Sequence, residues 1–260
     1  MHGFTDVDHQ SDPTSWVAVL DRLGEEPFYQ AYQRRVRELL SSSPGRHYLE
    51  VGAGTGASAV RLRDDHGVSV ATVDHARTMS DAMRTRGLTE CVVADAHHLP
   101  FLSRSFHGAW ADRTLQHVAD PHAAIRELVR VVRPGGRVVL ADPDYDTQVL
   151  DIADQSLARS VLRFRADALL RNGTLAHQQA GLLAAQGLVD INVEARTLVV
   201  RSPTAVDNVL GLRSWAATAA EWGALDPAEA RAFTEQFDDA VAAHRFTYAV
   251  TFFLTAATVN

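Results

Sequence analysis

The residues with the clearest chemical potential form one run, Leu49-Glu50-Val51-Gly52-Ala53-Gly54-Thr55-Gly56. Glycines directly after an apolar strand let the backbone pass close to a ligand, and a helix that follows presents free N–H groups. The spacing alone is ambiguous. Gly52 to Ala57 also satisfies a loose G-x-G-x-x-G/A, so the turn can serve a dinucleotide or simply pack a helix tightly. Asp74 lies about 20 residues past the glycines, where a carboxylate can accept two ribose hydroxyl hydrogen bonds. Its rival role is an N-cap for the helical stretch behind it. Asp95, in Ala94-Asp95-Ala96-His97-His98-Leu99-Pro100-Phe101, can accept from an adenine amino group.

These residues need elements to carry them. The pattern predicts strands over 47–51, 68–73, 90–94, 106–111 and 137–141. Helices are predicted over 55–66 and 78–86, and another opens at Asp120-Pro121, with Asp as N-cap and Pro at the first helical position. Ile125, Leu128, Val129 and Val132 give that last helix its apolar stripe. Strands alternating with helices imply a parallel sheet covered on both faces. Ahead of it, residues 13–40 read as helical and residues up to Asp12 as a polar, mobile start. Behind it, 147–170, 174–186 and 204–222 read as helical. Residues 188–201 read as a half-exposed strand, and Asp226-Pro227-Ala228-Glu229 as a capping box opening a helix. Residues 246–259 read as a last strand. Long helical insertions in a doubly wound sheet sit over the carboxyl ends of the strands, where ligands bind.

Composition narrows the chemistry. The chain has 260 residues and a net charge of -7, 46% of its residues are hydrophobic, and its Gly52–Gly56 turn sits amid ordinary globular usage. No stretch approaches the ~18 apolar residues of a membrane span, and the start carries no signal-peptide pattern, so the expected location is cytoplasmic. The acidic balance argues against a nucleic-acid partner. All 25 basic residues are Arg, which removes lysine Schiff bases and lysine general bases from the possible mechanisms. The single Cys91 excludes an intramolecular disulfide and reads as a buried strand residue. His97-His98 point apart on an extended segment, so no metal site is expected.

Taken together, the segments resemble the class I S-adenosylmethionine-dependent methyltransferases, in the small-molecule branch near the ubiquinone and menaquinone methyltransferases. The resemblance runs through LEVGAGTG, VDHARTM, VVADAHHLPF, LQHVADP (Leu115 to Pro121) and VVRPGGRVVLADPD (Val131 to Asp144). It covers residues 28–145. The later chain is similar, less sharply, to the tail of actinobacterial secondary-metabolite methyltransferases. The resemblance implies an α/β, Rossmann-like, seven-stranded and mostly parallel sheet with an antiparallel last strand, plus a helical lid. It implies one methyltransferase domain over 1–260, divided into an N-terminal helical lid (1–42), a cofactor-binding core (43–145) and substrate-side helices with the last two strands (146–260). It implies S-adenosyl-L-methionine as cofactor. Glu50, Gly52, Gly54 and Gly56 would surround its methionine part, and Asp74 its ribose, with His75 and Met79 near the adenosine. Asp95 and Ala96 would frame the adenine, while Asp112, Arg113 and Gln116 would face the methionine end. Asp112-Arg113 stands where many relatives have Glu-Arg or Asn, so this contact departs from the pattern.

Transfer to a hydroxyl needs the reacting atoms aligned and a proton removed. Candidates for the base are His117, His98, Asp144 and Tyr145. Trp16, Tyr29, Tyr32, Asp144 and Trp215 are candidates for lining an acceptor pocket, with ordinary helix packing as the alternative for each aromatic. Arg34-Arg35, Arg159, Arg163, Arg165 and Arg171 read as a solvated face and not an anion site. The expected acceptor is a small molecule, polyketide-like or aromatic, and the expected assembly a monomer or homodimer. Three rivals stand beside this reading: a methyltransferase-like cyclase, an NAD-dependent oxidoreductase and a non-catalytic binding module.

Overall fold

In a computed structural model, which describes residues 6–202 and 211–260, the short apolar runs become β1 (His47–Val51), β2 (Ser69–Asp74), β3 (Glu90–Val93) and β4 (Phe106–Asp112). They are joined by α3 (Ala57–His66), α4 (Arg77–Thr85) and α5 (Pro121–Val131), with α1 (Pro13–Glu25) and α2 (Pro27–Leu39) ahead of them. The predicted 13–40 helix is therefore two helices. Pro27 takes the first position of the second, where its missing N–H costs nothing. β5 (Val132–Leu150), β6 (Val189–Val200) and β7 (Tyr248–Thr258) complete one seven-stranded sheet in the order β3-β2-β1-β4-β5-β7-β6. β1 pairs in parallel with β2 and β4, β2 with β3, and β4 with β5. β7 runs the other way. Gly135 N–H donates to Val259 O (2.8 Å) and Asp151 N–H to Thr247 O (2.9 Å), so β7 descends as β5 ascends.

Three expectations are corrected. The fifth strand, predicted over 137–141, runs to Leu150, and the predicted helix over 147–170 starts only at α6 (Gln155–Phe164). Asp154 caps that helix by accepting from Ser156 N–H and Leu157 N–H. The Arg- and Asp-rich composition suggested helix too early. Thr147 instead accepts a bond from Thr251 N–H at 2.8 Å, a contact 104 positions apart that no local pattern encodes. The predicted 174–186 helix shrinks to a 3₁₀ turn (Ala176–Gln178) and α7 (Gln179–Ala185). Of the predicted 204–222 helix, residues 203–210 lie outside the described residues, and α8 spans Leu212–Glu221. α9 (Pro227–Ala242) carries the expected capping box at Asp226 and Glu229.

The chain divides into two compact units. The first takes the described residues of Met1–Asp142 with Leu175–Glu194 and Phe253–Asn260; the second takes Pro143–Thr174 with the described residues of Ala195–Phe252. In the first, Leu49, Val51, Ala71, Val73, Ala109, Ala111 and Leu140 of the strands pack with Ile125 and Leu128 of α5. Strands buried on both faces explain their unbroken apolar runs. In the second, Phe233 and Phe237 of α9 are buried, and the Phe237 and Phe246 rings meet edge-on at 5.0 Å.

Candidate active site

Strand order reverses between β1 and β4, with β2 and β3 on one side and β5 on the other. A crevice opens at such a switch point, outside the carboxyl ends of the strands. The glycine turn leaves β1 there. Gly52, Gly54 and Gly56 all take left-handed conformations, with φ of +71°, +53° and +75°. A Cβ at Gly52 would lie 2.1 Å from Thr114 Oγ1, and one at Gly54 would lie 3.2 Å from Leu20 Cδ1. Glycine is needed at Gly52 for space as well as for φ.

Asp74, at the end of β2, accepts from Gly54 N–H through Oδ2 (2.8 Å) and from Ala76 N–H through Oδ1 (3.0 Å). Each oxygen keeps a second lone pair for a further donor. The N-cap alternative for Asp74 does not describe what it does. The first amides of α4, Arg77 and Thr78, donate instead to Asp8 at 2.7 and 3.0 Å. Asp8 lies in a 3₁₀ turn (Val7–His9), so this part of the stretch expected to be mobile is engaged with α4. Burial alone would raise the Asp8 pKa, but these hydrogen bonds outweigh it and hold the carboxyl below its usual range. His75 is exposed with Nδ1 3.4 Å from Asp74 Oδ1, and Met79 is buried on α4.

Three carboxylates stand on adjacent strands: Glu50 and Asp112 near the carboxyl ends of β1 and β4, and Asp142 midway along β5. All three are buried. Glu50 Oε1 accepts from Trp110 Nε1 at 3.0 Å, while Oε2 is buried and has no partner among the described residues. Burial pushes the Glu50 carboxyl well above the usual carboxylate range, and the charge of Asp112 adds to the push. Asp112 receives Tyr32 Oη through a short hydrogen bond, Gln33 Nε2 at 3.0 Å, and the Arg113 guanidinium at 3.4 Å. Burial raises the Tyr32 phenol far above its normal range. Arg113 opposes that shift and Asp112 reinforces it. Asp142 is raised likewise by burial and then by Asp112; Gln179 Nε2 holds it at 2.8 Å. Gln116 is buried, donates through Nε2 to Arg113 O (3.2 Å), and leaves Oε1 without a partner among the described residues.

The N-terminal helices border this region. Arg86 donates to the Thr55 carbonyl in the glycine turn and to Asp21 of α1, both at 2.6 Å. Trp16 and Leu20 lie four residues apart on that helix and so share a face. On α2, Tyr29 and Tyr32 are buried, and the Arg113 guanidinium lies 5.0 Å from the Tyr29 ring centre.

The remaining candidates scatter. Asp95 is exposed. It accepts from His97 N–H at 2.9 Å and contacts the His97 ring, whose Nε2 accepts from Asp120 N–H at 3.0 Å. His97 thus links the Asp95 turn to the cap of α5. Ala96 is half-buried, His98 exposed and His117 half-buried. Asp144, Tyr145 and Trp215 are buried in the second unit. Among the described residues no cluster of His, Cys, Asp and Glu could hold a metal.

Sequence reasoning passed over Gln33, Asp142 and Gln179. Gln33 was detectable: Tyr29, Tyr32, Gln33 and Val36 share the buried stripe of α2, and a polar residue on such a stripe needs a partner. Asp142 and Gln179 are 37 positions apart and meet only through the fold.

Known proteins supply an independent comparison. A family model described as a methyltransferase domain matches residues 49–140. An uncharacterized 37.1 kDa protein in transposon TN4556 of Streptomyces fradiae is 34% identical over 93% of this chain and 70% of its own length. An O-methyltransferase of Aspergillus sclerotiorum is 36% identical over 55% of this chain, and the methyltransferase GfsG of Streptomyces halstedii 36% over 54%. The chain spans about half the length of these two named relatives, 54% and 51%. Among solved structures, phosphoethanolamine N-methyltransferase 2 of Haemonchus contortus shares the fold, with a TM-score of 0.62 at 17% identity over 98% of this chain and 60% of its own. The [4+2]-cyclase SpnF aligns with a TM-score of 0.54 at 25% identity, over 90% of this chain and 83% of its own. The matched span runs from β1, ahead of the glycine turn, into β5, and the chain belongs to the class I S-adenosylmethionine-dependent methyltransferases.

Proposed function

We propose that this chain transfers a methyl group from S-adenosylmethionine to a small organic acceptor, at an oxygen ahead of a carbon, on a polyketide-like or aromatic secondary metabolite. The observation that carries this reading is the pair of bare, buried acceptors, Glu50 Oε2 and Gln116 Oε1, near a glycine turn whose path a side chain would obstruct. Buried acceptors without donors are costly, and a bound cation with N–H donors would relieve them. That fits the α-ammonium end of the cofactor. Asp74 would take the ribose hydroxyls, His75 and Met79 would flank the adenosine, and Asp95 and Ala96 would frame the adenine. Asp112 and Arg113 would hold the amino-acid end, with Tyr32 and Gln33 keeping the Asp112 carboxylate in place. When bound, the cofactor supplies a methyl group already activated by its sulfonium.

The protein then has to orient the acceptor, exclude water and accept one proton. Of the candidate bases, His117 follows the β4 turn, and an imidazole can take a proton from a phenol or enol. One of its ring nitrogens would take the hydroxyl proton. His98 and Tyr145 are the alternatives. Trp16, Tyr29 and Tyr32 would wall the acceptor. Oxygen is placed first because named relatives are O-methyltransferases.

Calorimetric titration with S-adenosylhomocysteine and, separately, with NAD tests the cofactor. Micromolar binding of the first alone is expected, and binding of NAD alone would overturn the reading. The likeness to a [4+2]-cyclase favours a second reading, in which the cofactor is held but no methyl leaves it. Mass analysis of the acceptor product separates the two: transfer adds one methylene, whereas cyclisation leaves the mass unchanged.

A further inference from the structure

Within the second unit, one arginine departs from the solvated face expected of it. Arg165 is half-buried, and its guanidinium carbon lies 4.7 Å from the Tyr145 ring centre and 4.1 Å from that of Trp215. Nearby arginines have carboxylate partners: Arg163 pairs with Asp167 at 3.3 Å and Arg213 with Asp238 at 2.5 Å. Arg165 has none among the described residues, and its buried Nε makes no hydrogen bond there. A buried N–H donor without an acceptor is unfavourable. The two rings stabilise the faces of the cation but leave the buried Nε–H unanswered.

The frame around it is built. Arg165 opens a π-helical turn (Arg165–Leu169) at the end of α6, a wide turn common at functional sites. Tyr145 N–H donates to Gly173 O at 2.9 Å. Gly173 in turn packs so closely on residue 166 that a Cβ would lie 2.3 Å from the Ala166 carbonyl oxygen. The strand that carries Tyr145 and the turn that carries Arg165 are thereby tied through one glycine.

We infer that Arg165, held between Tyr145 and Trp215, is a binding site for the carboxylate group of a small organic acid. A guanidinium held by its faces presents planar paired donors, which match the two oxygens of a carboxylate in one plane. The inference goes beyond the proposed transfer and names a ligand class, organic acids, for the second unit.

The test titrates the full chain with benzoate and 3-phenylpropanoate, with their neutral amides, and with inorganic phosphate, each with and without S-adenosylhomocysteine. The acids should bind and the amides should not. Arg165→Met should weaken acid binding at least ten-fold, and Arg165→Lys, which keeps the charge but not the fork, should weaken it less. Equal binding of amides, unchanged affinity in Arg165→Met, or binding of phosphate in place of the acids would overturn the assignment. If Arg165→Met fails to fold, Arg165→Lys with the acid–amide comparison still decides. Binding of S-adenosylhomocysteine without the acids defeats this inference alone. Binding of the acids without S-adenosylhomocysteine or methyl transfer defeats the proposed function instead.

Discussion

Glu50 sets the terms at the scale of single residues. Burial pushes its carboxyl well above the usual carboxylate range, and the neighbouring Asp112 charge adds to the push. In the unfolded chain it ionises within that usual range, so its contribution to stability is complete below about pH 4.5 and is lost as pH rises through the folded pKa. Glu50→Gln should therefore raise the melting temperature of the ligand-free protein at pH 8 by a few degrees, at roughly 2–4 °C per kcal/mol for a chain of this size. The gain should vanish near pH 4, and thermal melts across pH check both the sign and the window. The same change should weaken S-adenosylhomocysteine binding about ten-fold or more, because a charge-assisted acceptor is lost. Asp74→Ala should weaken that binding by about 1–3 kcal/mol, and unchanged calorimetric affinity would sink the ribose assignment. At Gly52, both the left-handed φ and the 2.1 Å approach to Thr114 exclude a side chain. Gly52→Ala should cost stability beyond the ~1 kcal/mol of ordinary Gly-to-Ala conformational effects, read by denaturant melts.

Whole elements are positioned by a few such contacts. Asp8 takes two amides at the start of α4, where they would otherwise have no helical partner. Asp8→Ala should cost about 1 kcal/mol, as cap removals do. Hydrogen exchange at Arg77 and Thr78 should accelerate, and if both amides keep their protection the cap is not what secures this end. Arg86 ties α1 to the glycine turn through Thr55 O and Asp21. The switch point between β1 and β4 brings Glu50 beside Trp110 in register, which is why their side chains meet. β5 extends beyond its predicted end because its later residues pair with β7, as the bond from Asp151 to Thr247 shows.

For the molecule as a whole, cofactor binding should appear as thermal stabilisation. A ligand that binds only the folded state adds about 2.7 kcal/mol at a hundred times its Kd. S-adenosylhomocysteine should therefore raise the melting temperature by several degrees, and NAD should leave it unmoved. Much of this molecule was legible in its sequence. The five parallel strands, the glycine turn, the Asp120-Pro121 helix start and the Asp226 capping box follow from local rules, since strand burial, positive φ and capping each depend on neighbours a few positions apart. The meeting of Asp112 with Tyr32 and Gln33, of Asp142 with Gln179, and of Arg165 with Tyr145 and Trp215 joins residues between 20 and 80 positions apart. No periodicity carries such pairings. Arg165 looks like any surface arginine along the chain, and its stacking and missing counter-anion exist only once the fold has brought the rings to it. Local sequence determined which backbone shapes formed and where the family's turn would stand. Tertiary structure alone decided which polar groups lost water together, and that desolvation is what shifts their charges and leaves acceptors waiting for a ligand.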